Sequence, residues 1–485
     1  MGCYLMKKQA FNPYLPSWEY IPDGEPRLFG DRVYVYGSHD RFDAPIFCMN
    51  DYVCWSAPEN DLSDWRYEGI IYRKSQDPKN KLGLRLLFAP DVVQGTDGLY
   101  YLYYAFDFMG LMGVAVSETP NGPFQFLGHV HYPDGTLWGR RKGDQFPFDP
   151  GVLVDDDGRV WLYSGFYTPT PAIVTGGIQL KNDGGTVLEL KQDMLTIKSE
   201  PKVIFPKEGP GSFPNHEFFE ASSIRKDGDR YIFVYSSRHN HELCYATSHR
   251  PDGDFAYGGT LVSLGDLFLD GRSEEKDGLN YLGNTHGGML NIGDDWYIFY
   301  HRQTNRHSYS RQACAEKLVR TPDGHFMQAE VTSCGLNGKP LEGKGRYEAR
   351  IACNLWSKEG VGRYDGANPR MRMKNHPYFT QTGSDRERDG DQFICNMRDG
   401  AVAGFKYFAI SDLHGVEFDL SGRAEGVMEI STILDFSQIH GTIAVRPEGK
   451  RKLFSGSASI ENGTRALYFR FSGKGYVNFH GFELK

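Results

Sequence analysis

Four acids and one histidine stand at a nearly constant distance ahead of five similar strands. Asp23, Asp91, Asp149, Glu220 and His286 lie 11, 10, 12, 11 and 11 residues before Tyr34, Tyr101, Trp161, Tyr231 and Tyr297. Carboxyl groups drawn from distant stretches into one place suit the hydrolysis of a glycosidic bond. One acid must be neutral and protonate the leaving oxygen, and another must be charged and deprotonate water. A third carboxyl nearby separates their proton affinities, because like charges disfavour ionisation of a neighbour. Glu220, in Phe218-Phe219-Glu220-Ala221, has the apolar setting that raises a carboxyl pKa and suits the acid. Asp23, in Ile21-Pro22-Asp23-Gly24, has a glycine beside it that leaves room for a water. Asp149 is the third acid. Asp23-Gly24 and Asp149-Pro150 also read as turns. His286, in Asn284-Thr285-His286-Gly287-Gly288, reads either as a hydrogen-bonded interior histidine or as a ligand, direct or through water, of an axial ion. His216-Glu217-Phe218-Phe219-Glu220 begins like a zinc helix, but it lacks the second histidine and its surroundings are β, which argues against zinc.

The elements that must position these groups recur at an even pitch. The strands read Val33-Tyr34-Val35-Tyr36, Tyr100-Tyr101-Leu102-Tyr103, Val160-Trp161-Leu162-Tyr163, Tyr231-Ile232-Phe233-Val234-Tyr235 and Trp296-Tyr297-Ile298-Phe299-Tyr300, with steps of 67, 60, 70 and 66 residues. Turn pairs such as Asp97-Gly98, Asp157-Gly158 and Asp227-Gly228 come just before them. That period fits one four-stranded sheet with generous loops, and radial repetition of such sheets is a β-propeller. The reading is an all-β chain: a five-bladed propeller over 10–325, a glycine-rich linker over 326–345, and a β-sandwich of jelly-roll type over 346–485. The sandwich strands are expected around Phe405–Phe408, Val427–Ile430 and Ala466–Phe471. The charged run 385–389 reads as a solvated loop.

Composition narrows the partners. The 485 residues are 40% apolar and 24% charged, as in ordinary soluble proteins. A formal charge of -8 gives no reason to expect nucleic acid or an anionic membrane. Aromatics reach 14%, which strand propensity accounts for in the main, with sugar-stacking platforms among the remainder. The eight cysteines form no C-x-x-C pair and read as free thiols in a reducing compartment. Lys7-Lys8 is not followed by the apolar run of a signal peptide, and residues 1–5 read as an extension ahead of Met6. No stretch reaches the ~18 apolar residues of a membrane span. The expected location is cytoplasmic.

Several motifs resemble glycoside hydrolase family 43. They are Asn12-Pro13 through Ile21-Pro22-Asp23-Gly24, Tyr36-Gly37-Ser38-His39-Asp40, Phe88-Ala89-Pro90-Asp91, Phe148-Asp149-Pro150-Gly151, Phe219-Glu220-Ala221 and Asn284-Thr285-His286-Gly287. The resemblance covers about residues 10–320. It implies a five-bladed propeller that hydrolyses arabinose- and xylose-containing glycans with inversion. Asp23 would be the general base, Glu220 the general acid and Asp149 the carboxylate that tunes and orients the acid. His286 would stand near an axial calcium or its waters. Phe88, where many members carry tryptophan, Asp91 and Arg302 would meet the substrate. Gly404-Phe405-Lys406-Tyr407-Phe408 and Gly475-Tyr476-Val477-Asn478-Phe479 resemble a family 6 carbohydrate-binding module, where a second calcium is a further expectation. The leading expectation is an exo-acting α-L-arabinofuranosidase or β-xylosidase working on short plant-glycan oligosaccharides. The alternatives are a β-galactofuranosidase of the same family, a retaining five-bladed fructosidase and a non-catalytic sugar-binding propeller.

Overall fold

The computed structural model describes residues 9–388 and 390–485. The expected extension at 1–5, Cys3, and Asp389 of the charged run lie outside the described residues.

Five antiparallel sheets follow one another along the chain, each a meander. The first holds β1 (Glu25–Phe29), β2 (Arg32–Tyr36), β3 (Tyr52–Pro58) and β4 (Arg66–Tyr72). The second holds β5 (Asp91–Gln94), β6 (Tyr100–Ala105), β7 (Met112–Ser117) and β8 (Gln125–His129). The third holds β9 (Gly151–Val154), β10 (Val160–Ser164), β11 (Gly184–Leu190) and β12 (Lys202–Pro206). The fourth holds β13 (Phe218–Asp227), β14 (Arg230–Ser237), β15 (Glu242–Ser248) and β16 (Ala256–Ser263). The fifth holds β17 (Met289–Ile292), β18 (Asp295–Thr304) and β19 (His307–Leu318). The first strands of the five sheets neighbour one another in a closed circle, so each sheet is a blade of a propeller.

The repeated aromatics explain the packing. Successive residues of a strand face opposite sides, so alternate rings fill the spaces between blades. The tyrosine two places after each of the first three anchors is buried, and its hydroxyl donates to a carbonyl of the next blade or the loop before it. Tyr36 reaches Pro120 O at 2.7 Å, Tyr103 reaches Met194 O at 2.7 Å and Tyr163 reaches Pro251 O at 2.6 Å. Each ring thus buries a large apolar face and leaves no orphaned polar atom at its tip. The circle is closed by the N-terminal segment, which lies along β19. Asn12 Nδ2 donates to Ala315 O at 2.9 Å and to Glu316 Oε1 at 2.7 Å, and Asn12 Oδ1 accepts from Ala315 N at 3.0 Å.

Residues 326–331, expected to begin a linker, instead pack into the core of blades four and five, and the chain beyond them builds a second all-β unit. Its strands are β20 (Leu341–Glu342), β21 (Gly345–Glu348), β22 (Asn354–Trp356), β23 (Tyr378–Gln381), β24 (Gln392–Met397), β25 (Val402–Ile410), β26 (Gly415–Ser431), β27 (Gly441–Val445), β28 (Lys452–Ser457) and β29 (Gly463–Leu484). They form one hydrogen-bonded network in which the long strands β26 and β29 join most of the others around a single apolar core. This unit is locked to the propeller through buried polar contacts. Lys406 Nζ lies 2.7 Å from Asp266 Oδ2, with Asn354 Nδ2 3.2 Å from the same oxygen, and Tyr20 Oη donates to Gln381 Oε1 at 2.6 Å. Removing one partner of such a buried pair costs about 3–5 kcal/mol, which makes the docking rigid.

Candidate active site

The backbone is bent at each of the three acids. Asp23 and Asp149 adopt left-handed conformations, with φ of 59° and 45°, two residues ahead of β1 and β9. Glu220 sits where the β13–β14 register shifts on both sides of it, and Ala221 has φ 72°. Non-glycine residues in this region are strained by about 1–3 kcal/mol, and bulges of this sort re-aim a side chain out of the sheet. The three devices turn the acids toward one cavity of about 150 Å³. His286, Arg311, Asn240 and Asn284 share its lining with a set of phenylalanines that includes Phe88. The ring of Phe148 lies 5.6 Å from that of Phe88 and 5.8 Å from that of Phe108, giving one side of the cavity an aromatic wall.

The charges at this level do not balance. Arg311 is the cation, and it is shared. Its Nη1 lies 2.9 Å from Asp23 Oδ1, while its Nε and Nη2 hold Asp40 at 2.8 and 3.1 Å. These two carboxylates lift the guanidinium well above its ordinary pKa, against burial. The nearby imidazoles supply no positive charge at neutral pH. Burial lowers His286 to about 4, and it lowers His301 well below its ordinary value. His301 Nδ1 accepts the Asp23 N–H at 3.2 Å, a bond that requires this nitrogen to be unprotonated. Among the described residues, Asp149 and Glu220 have no cation of their own. Burial first, then the charges of Glu220 and Asp23, raise Asp149 well above the carboxylate range. Burial and Asp23 raise Glu220 to about 8, with Arg311 pulling the other way. The site therefore keeps a proton on the Asp149–Glu220 pair at neutral pH. Asp149 Oδ2 also accepts the N–H of Ala221 at 3.3 Å, which fixes the peptide that follows Glu220. His286 Nδ1 stands 3.5 Å from Asp149 Oδ2 and 3.9 Å from Asp23 Oδ1.

Asp23, Asp149, Glu220, His286 and Phe88 are thus brought together, and Asp91 and Arg302 are not. Asp91 is the first residue of β5, as Glu25 is the first of β1, so it belongs one layer deeper along the axis. There it pairs with Arg27, whose Nε and Nη2 lie at 3.0 and 2.5 Å, and accepts Val152 N at 2.8 Å. Glu25 completes this layer, 2.6 Å from Arg225 and 2.8 Å from the Ser223 hydroxyl. A Cβ on Gly288 would meet Glu25 Oε2 at 2.4 Å, so the glycine is what lets the layer close. The expectation that Asp91 meets substrate is corrected accordingly. Arg302 is corrected as well. It pairs with Gln312 across the β18–β19 ladder, whereas Arg311 pairs with Gln303, so the two arginines face opposite sides of blade five. Arg302 donates to Ala352 O at 2.8 Å and Arg350 O at 2.7 Å and lies 3.8 Å over the Phe379 ring, clamping the C-terminal unit.

The deeper axial residues, Glu25 and Asp91, do not fit a calcium ion. Calcium takes six to eight oxygen ligands with carboxylates prominent among them. The two axial carboxylates are already committed to Arg27 and Arg225, and those guanidinium groups would repel a divalent cation. Among the described residues, the group of three or more His, Cys, Asp or Glu side chains within ligating reach is His216, His239 and Glu242. It lies in blade four rather than in the C-terminal unit. His216 Nδ1 is 2.7 Å from Glu242 Oε1, and this donor set suits zinc better than calcium. Its members come from two separated segments, which is why a contiguous zinc motif does not reveal it.

Sequence reasoning missed Arg311, Asp40, Phe47 and Asn240 as parts of the site. Arg311 lies on β19, the third strand of its blade, outside the register that singles out the acids.

The profile of glycosyl hydrolases family 43 matches residues 26–326. A xylosidase/arabinosidase of Thermoclostridium stercorarium is 48% identical over 487 residues, 99% of this chain and 99% of its own length. A xylosidase/arabinosidase of Bacteroides ovatus is 27% identical, over 59% of this chain and 87% of its own. The solved structure of a GH43 enzyme from Xanthomonas citri complexed with xylose matches with a TM-score of 0.52 at 23% identity, over 66% of this chain and 93% of that one, a likeness of fold.

Proposed function

The chain belongs to glycosyl hydrolases family 43, and from that premise we propose that it releases a terminal arabinofuranose or xylose from short plant-glycan oligosaccharides, with inversion. As a glycoside hydrolase it needs a proton donor and a base on one sugar. Glu220 is the donor, since it holds its proton near neutrality. Asp23 is the base, a carboxylate held by Arg311 and the peptide N–H–His301 contact. Asp149 is a positioning residue that fixes the peptide following Glu220. Phe88 and its neighbours form the apolar side against which the sugar ring lies. The small cavity favours one terminal unit, hence exo action.

The observation that carries this reading is the convergence of Asp23, Asp149 and Glu220 on one cavity that holds, among the described residues, one arginine, Arg311. A panel of nitrophenyl glycosides, with the product anomer followed by proton NMR, tests it. Turnover of pentosides with the anomer inverted is the expected result. Turnover confined to hexosides, or retention of configuration, would overturn it.

A further inference from the structure

A second, larger cavity of about 700 Å³ adjoins the first, and Phe47, Ser308 and Asp365 line both. Three separate parts of the chain enclose it. Blade one contributes the loop at 43–47, blade five contributes 307–309, and the C-terminal unit contributes residues 364–371. Volumes of this size, at the junction of two units, are where ligands are usually held.

The C-terminal part of this wall is fastened to the propeller. Leu282 N donates to Gly362 O at 3.0 Å and Tyr364 N donates to Leu282 O at 2.8 Å. Arg363 reaches Glu275 at 2.5 Å and His239 O at 3.1 Å, and it grips both oxygens of Asp365 at 2.9 and 2.7 Å. Asn240 of the catalytic cavity donates to Asp365 at 3.3 Å. The Tyr364 ring stacks on Tyr281 at 5.1 Å. Further out, Arg370 pairs with Asp43 across the mouth, and Met371 stands 77% exposed at the rim. On the facing side the Tyr309 ring meets Phe47 edge-on at 4.7 Å. The cavity thus has aromatic side chains on the propeller side and a carboxylate, Asp365, at its junction with the inner cavity, equipment that suits a hydroxylated ring.

We infer that residues 364–371 of the C-terminal unit form one wall of the site for the leaving half of the substrate, a neutral oligosaccharide of one or two sugar units, and so set the preference for its size. This rests on the glycosidase reading above. In that reading the cleaved sugar fills the inner cavity, and whatever follows it must pass through the outer one. Binding energy from the remote part of a substrate can be used at the reacting centre, so the wall would act on turnover as well as on affinity.

The test compares two substrates that differ only in the leaving half. The leaving group of a pentosyl fluoride is a fluoride ion, which leaves the outer cavity vacant, whereas xylotriose fills it. For Met371→Asp and Arg370→Ala, kcat/KM on xylotriose is expected to fall about tenfold while the value on the fluoride changes less than twofold, a difference of about 1.4 kcal/mol in transition-state binding. Melting temperatures are recorded in parallel. Equal changes on both substrates, or no change on xylotriose, would overturn the inference. Were the glycoside panel to return a sugar other than a pentose, the pentose reading would fall. The same ratio, taken with that sugar's fluoride and trisaccharide, would still decide the wall.

Discussion

Two layers of buried charge lie one above the other on the propeller axis, and they are built from neighbouring residues. In the deeper layer Glu25 and Asp91 face Arg225 and Arg27, one guanidinium for each carboxylate. In the upper layer Arg311 pairs with Asp23 and Asp40, and among the described residues Asp149 and Glu220 have no guanidinium partner. Burial works against charge in both, and it raises even Glu25 despite Arg225. The outcomes differ because of the pairing. Where each acid has its own guanidinium, the group acts as a structural fastener. Where two acids have none, a proton stays behind, and a retained proton is what an acid catalyst needs. A separation of two residues, Asp23 against Glu25, moves a carboxyl from one regime to the other.

The largest effect comes from emptying the upper layer. Asp23→Asn should lower kcat on every glycoside by about 10²–10⁴-fold. Glu220→Gln should lose a comparable factor on natural linkages but much less on aryl glycosides, whose leaving groups need no proton. Steady-state kinetics on both substrate classes check this, and equal loss on both in the Glu220 variant would remove it as the acid. In the deeper layer the effect moves to stability. Arg27→Met strands the Asp91 carboxylate and should cost about 3–5 kcal/mol in urea unfolding, and an intact protein with low activity would contradict the assignment.

A subtler contrast is in the pH dependence of stability. Glu220 titrates near 8 when folded, against an ordinary value of 4.5. The folded state therefore holds more protons than the unfolded chain between these values. This contribution is fully present below about 4.5 and is lost as pH rises through about 8. Glu220→Gln removes that loss, so its melting temperature relative to the parent should climb between pH 5 and 8; a difference that is flat with pH would contradict the shift. The smallest effect expected is none. Chelation by EDTA should leave the pH 7 pentosidase activity unchanged, because arginines occupy the axis; a chelator-dependent loss restored by calcium would break the comparison.

Much of this arrangement is legible in the sequence because its causes are local and repeated. Aromatic strands after Asp-Gly turns recur at the pitch of a blade, and the acids ahead of them share a register. Asp149, Glu220 and the Asp23-Gly24 corner are found that way, whereas Phe88 comes only from the family resemblance. The register does not say at which depth a side chain leaves its strand. Asp91 shares the spacing but begins β5, so it falls to the deeper layer with Glu25. Arg302 and Arg311 are nine residues apart on paired strands, and only the hairpin register shows which face each takes. Residues 364–371 reach the site through the docking of a second unit, a contact for which neither periodicity nor motif leaves a trace.

The direct test of the account is the proton on Glu220. With glutamate labelled at the side-chain carboxyl carbon, and the Glu220 resonance identified by its loss in Glu220→Gln, carbon NMR follows the titration in the folded enzyme. A midpoint of about 8 is the predicted result. A midpoint at or below about 4.5, the ordinary value, would mean that the upper layer holds no spare proton at neutral pH, and the assignment of acid and base would fail with it.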